Sequence, residues 1–153
     1  MRGDILLFLG LVTVVGGGVI AAVIFLFAGG GGGGTSVCDQ PLPPRGESDI
    51  SQMGFQAEDA GLARVIDAAS AGDLQGAQDA FFGDVRSFTY GVDQPLREAD
   101  EGLAKELCEA VNRIEEEFVA AEPKADAITA RATRIRELLW DAAEALGYAR
   151  PGE

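Results

Sequence analysis

The chain reads as all-α: a single N-terminal transmembrane helix, a flexible Gly/Pro linker, and an antiparallel four-helix bundle. A three-helix bundle with a loose first segment is the alternative. Three observations predict this class. Residues 5–28, "ILLFLGLVTVVGGGVIAAVIFLFA", contain no charge. Six consecutive glycines, Gly29–Gly34, follow directly. From Phe55 onward, apolar residues recur at spacings of three and four, and no segment alternates as a strand does. The units implied are an anchor over 1–28, a linker over 29–53 and an acidic helical bundle over 54–150.

The anchor is long enough to cross a bilayer, which needs about 20 apolar residues. A cleaved signal peptide is the rival reading, and Ala28-Gly29-Gly30 has the small-x-small form of a cleavage site. The apolar run exceeds the 7–15 residues typical of such a peptide, and Asp4 offsets the basic Arg2. An anchor is therefore expected. Arg2 and the amino terminus favour a cytoplasmic N-terminus, which places the acidic domain outside the cytoplasm. Gly16, Gly17 and Gly18 sit mid-span, with Thr13 and Ala21 four residues either side of Gly17 and Ala22 four after Gly18. Small residues at that spacing let two membrane helices approach closely, so these positions are the expected helix contact.

Glycine loses much entropy on ordering, and "TSVCDQPLPPRGESD" carries three prolines with no apolar period. Residues 29–53 are thus expected to form a linker, slack at first and stiffer through the prolines. A random coil of that length reaches roughly 25–30 Å.

The first bundle helix is expected over 55–71, with Leu62, Ile66 and Ala69 on one face and Gly72 as its stop. Asp73 caps the second, whose stripe is Leu74, Ala77, Phe81, Val85, Phe88 and Val92. Pro95 disfavours a helical Gln94, so "GVDQPLREAD" is expected to be the turn. Asp100 caps the third helix, with Leu103, Leu107, Val111, Ile114 and Phe118 inward. Pro123 opens the fourth, where Ile128, Ala132, Ile135, Leu139, Ala142 and Leu146 step 4-3-4-3-4 before Gly147.

The net charge is −13, and all of it falls after the glycines. That argues against nucleic acid, whose phosphates need Lys and Arg. The chain has no histidine, hence neither the commonest metal ligand nor the commonest general base. No GxSxG elbow or P-loop is present, and the hexaglycine lacks the strand-to-helix context of a phosphate loop. No enzyme activity and no cofactor are expected.

Four sets of residues remain as candidates. Cys38 in the linker and Cys108 in the third helix can bridge if the domain lies outside the cytoplasm; the alternative is two free thiols. Such a bridge ends the slack part of the tether at Cys38. Asp93, Glu98 and Glu115 are the candidate ligands for a divalent cation or iron, since bundle cores hold metals through inward carboxylates. Phe82 and Tyr90 fall off the core stripe of "FFGDVRSFTY" and form either a second packing face or an exposed partner patch. Arg131, Arg134 and Arg136, near Trp140, are expected to pair with the acidic helices; Arg131 and Arg134 are also candidates to face a partner. Glu101, Lys105, Glu109, Arg113 and Glu117, at steps of four, read as a solvated charged face.

Between Gly72 and Glu117, the stretches "GD…A…F", "VDQPLREAD" and "AVNRIE" resemble the extracytoplasmic helical domain of some bacterial iron-permease and iron-uptake proteins. The resemblance implies roles for Asp93, Arg97, Ile114 and Glu115. It covers under half the chain and includes no permease membrane part, so transport by this chain is not expected. The functional expectation is a non-catalytic interaction or accessory subunit, anchored by one pass and engaging a protein partner in a membrane complex. The alternative is an extracytoplasmic cation-binding module linked to metal uptake.

Overall fold

The computed structural model describes residues 36–44 and 48–151. The predicted anchor, with Gly16, Gly17, Gly18 and Ala21, lies outside the described residues, as do the six glycines. Among the described residues, no helix is long and apolar enough to cross a membrane.

The described chain is all-helical: α1 Gln52–Ser70, α2 Leu74–Ala80, α3 Arg86–Ala99, α4 Glu101–Phe118 and α5 Ala125–Ala145. A π-helical segment, Phe81–Val85, joins α2 to α3, and a 3₁₀ turn forms at Val37–Asp39. The predicted caps appear. Asp73 accepts from the Gly76 amide and Asp100 from the Leu103 amide. Gly72 and Gly147 take φ of +80° and +87°, the left-handed conformation that ends a helix cheaply only at glycine. Helix α1 starts at Gln52 rather than Phe55, because Ser51 accepts from the Gly54 amide and caps it.

Helix α5 packs along both α1 and α4, and α3 along α4. Helices α3 and α4 form an antiparallel hairpin around the single residue Asp100, as the Arg86–Glu115 pair at its far end shows. The predicted stripes fill the core. Phe81, Val85, Ile114, Ile128, Ile135 and Leu139 are wholly buried. The π segment has a reason in the stripe itself. The steps Ala77–Phe81–Val85 are both four residues, which on an α-helix turn the apolar face by about 80° in all. The wider i→i+5 winding removes that drift and keeps Phe81, Val85 and Phe88 on one core.

Two expectations are corrected. "GVDQPLREAD" is not the turn: α3 continues through Pro95 to Ala99. An interior proline costs roughly 3 kcal/mol. Val92 and Leu96, both fully buried, contribute about 1.5–3 kcal/mol each, which outweighs it. The second half of the predicted linker is also not free. Residues 36–44 form a strap bound to the bundle, with Cys38 at 0 % and Leu42 at 7 % exposure.

Candidate functional site

The polar sites that organise the surface are the strap junction and two arginine-centred clusters. At the strap, Ser36 and Asp39 form a reciprocal cap: the Ser36 hydroxyl accepts from the Cys38 amide, and the Ser36 amide donates to Asp39. Lys105 of α4 pairs with Asp39. That ammonium, with the Ser36 amide, holds the Asp39 carboxyl below the usual range. Cys38 is bridged to Cys108, with their Cα atoms 5.7 Å apart. The Asn112 amide lies 3.1 Å from the Cys38 sulfur and 3.9 Å from that of Cys108. Asp93 Oδ2 accepts from the Leu42 amide and from Arg97 Nε, each at 2.8 Å. Arg97 Nη2 donates to the Cys38 carbonyl at 2.9 Å. Nearly every contact here falls on the strap's main chain or on the two cysteines.

The second cluster is built on Arg86. Its guanidinium makes a bidentate pair with Glu115, at 2.6 and 3.1 Å. It also lies 5.3 Å from the ring centroids of both Phe82 and Tyr90. Phe82 packs on Phe81 and Phe118, and Tyr90 is buried. "FFGDVRSFTY" is therefore a second packing face rather than an exposed patch. The arginines of α5 pair as expected: Arg131 with Glu117, Arg134 with Glu106 and Glu137, Arg136 with Asp59.

Asp59 also accepts from Trp140 Nε1 at 2.8 Å. Arg136, and then Trp140, depress its carboxyl below the ordinary value. The folded state thus binds this proton less readily than the unfolded chain. The stabilisation is complete above about pH 4, the unfolded value, and disappears as pH falls through the lower folded value. Trp140 is the only tryptophan, so its emission should shift in acid before the helices melt. The shift should vanish in Asp59→Asn. An identical acid shift in that variant would dissociate the signal from Asp59.

The structure does not bring the three candidate ligands together. Asp93 is engaged by Arg97 and Glu115 by Arg86. Arg86 and Asp93 lie seven residues apart on α3, about 10 Å along the axis, so the two carboxylates sit at different levels. Glu98 follows Asp93 by five residues, roughly 140° around the helix, and is exposed in a groove of about 480 Å³ with Asp39, Arg97 and Glu101. Among the described residues, no group of three or more carboxylates or thiols is placed to hold a metal ion.

Sequence reasoning missed Arg86, Asn112 and Leu42. Leu42 had a signal: it is the one apolar residue between Pro41 and Pro43, where a solvated linker needs none. Asp93 and Arg97 had theirs in the i,i+4 spacing. Comparison with protein-family models, curated proteins and solved structures finds no match, so the resemblance carried by Asp93, Arg97, Ile114 and Glu115 rests on those residues alone.

Proposed function

We propose that this protein is a non-catalytic accessory subunit, held outside the cytoplasm by one membrane helix and presenting its helical bundle to a protein partner in a membrane complex. The observation that carries the reading is the Cys38–Cys108 bridge, since disulfides persist in oxidising compartments. It agrees with the uncharged run of residues 5–28, which is of spanning length. In this reading α2, the π segment and α3 count as one rod, which makes an antiparallel four-helix bundle. With residues 36–44 held on the bundle, the arm of this reading is Gly29–Thr35, shorter than the linker expected from composition.

Crosslinking in native membranes followed by mass spectrometry should recover one defined partner. Gly17→Leu should reduce that recovery several-fold by separating the helices in the bilayer. Recovery that Gly17→Leu leaves unchanged removes the helix contact from the proposal. Absence of any reproducible partner overturns the subunit reading.

A further inference from the structure

We propose that Asp93 and Arg97 are positioning residues: a main-chain clamp that seats residues 38–42 against α3 before any bridge forms, and thereby brings Cys38 to Cys108. The inference concerns this chain's own assembly and does not depend on the membrane partner.

The geometry has three parts. The clamp grips the strap at both ends. Asp93 takes the Leu42 amide, Arg97 takes the Cys38 carbonyl, and the two side chains hold each other at 2.8 Å. These groups are largely withdrawn from water, with Asp93 2 % and Arg97 10 % exposed, so their hydrogen bonds are charge-assisted at low dielectric. The strap adds its own apolar anchor, because Leu42 is 7 % exposed. None of these contacts involves sulfur. A strap held this way keeps its register when the thiols are reduced.

The second part is the target. Cys108 sits on α4, and Asn112 lies one turn beyond it, with its amide directed at the strap's sulfur. With residues 38–42 seated, the Cys38 sulfur arrives between Cys108 and Asn112. The third part is the chemistry. Two thiols give up two protons and two electrons as one S–S bond forms. A disulfide oxidant receives them through a mixed disulfide and leaves as two thiols. The clamp contributes nothing to electron transfer; it raises the local concentration of one thiol at the other.

The test uses the full-length chain in glutathione redox buffers, with thiol alkylation and mass spectrometry reporting the fraction bridged. The ratio of bridged to reduced protein gives an effective thiol concentration. Asp93→Asn and Arg97→Gln should each lower it at least tenfold, and Arg97→Lys, which keeps one charged donor, should recover part of the loss. A purely structural role in the bundle would lower melting temperature without moving this ratio. An effective concentration within twofold of the parent in folded Arg97→Gln overturns the proposal.

A second measurement needs no change to the clamp. In Cys38→Ala/Cys108→Ala, the Leu42 amide should remain protected from hydrogen exchange. Exchange of Leu42 at the free-chain rate, while α4 and α5 stay protected, also overturns it.

Discussion

Replacing Cys38 and Cys108 together by alanine is expected to lower stability by about 4 kcal/mol, on the order of 15 °C in melting temperature. The two cysteines are 70 residues apart in sequence. Their bridge closes a loop that spans the rest of the strap, α1, α2 and α3, and the first turns of α4. In the chain-entropy view, most of its effect lies in the unfolded state, which loses conformations when so long a loop is closed. That origin has its own signature. The denaturant slope should rise in the double variant, because an unfolded chain without the crosslink exposes more surface. Alanine is the appropriate replacement, since serine would bury two hydroxyls where Cys38 and Cys108 are 0 % and 3 % exposed. Reduction of the parent chain should reproduce the loss. A change below about 1 kcal/mol with an unchanged slope would mean that the reduced chain keeps the strap associated with the helices even when denatured.

The helical elements were legible because burial and periodicity agreed. On α5, Ile128, Ala132, Ile135, Leu139 and Ala142 repeat at helical spacing, and each is fully buried. The caps at Asp73 and Asp100 were legible because capping is local chemistry, settled within three residues. The turn at Pro95 was misread for the opposite reason. Proline's cost is local, but the compensation comes from Val92 and Leu96 packing against distant parts of the chain. A local rule has no view of that balance. The strap was misread in the same way. Three prolines and an absent period describe residues 36–44 well enough. Their order comes from a bridge, a buried leucine and two side chains more than fifty residues away.

The candidate sites divide along the same line. The Cys38–Cys108 pair was legible as a possibility because a two-cysteine chain allows one pairing. The roles of Asp93 and Glu115 were not. An inward carboxylate beside an apolar stripe is equally consistent with a cation and with an arginine. Which one it meets depends on whether Arg86 and Arg97 reach it, and that is a matter of register between helices. Arg86 reaches Glu115 from the start of α3 because the hairpin closes at Asp100, five residues beyond the misread Pro95. An error of one turn in the sequence reading therefore hid the partner of a site residue.

Asp93→Ala is expected to be the most damaging of the carboxylate replacements, at about 3–5 kcal/mol, because it leaves a charge stranded in a site with little water. The Asp93 oxygen serves two donors, Arg97 Nε and the Leu42 amide. Its removal leaves the guanidinium, only 10 % exposed, with the Cys38 carbonyl as its remaining acceptor here. The paired change Asp93→Leu/Arg97→Met removes both charges and should recover at least half of the loss, even though it makes two replacements. If the double variant is as unstable as the single, the strap's unsatisfied amide carries the cost, not the buried charge. The other two carboxylates calibrate the result. Glu115 is half-buried and paired with Arg86, so Glu115→Ala should cost about 1–2 kcal/mol. Glu98 is exposed, so Glu98→Ala should fall within about 0.5 kcal/mol of the parent. Urea titrations in chelator and in excess divalent cation separate this ordering from the cation reading. Ligands of one metal would lose cation-dependent stability together. Partners of separate arginines lose stability in proportion to burial, and the added cation changes none of the three differences.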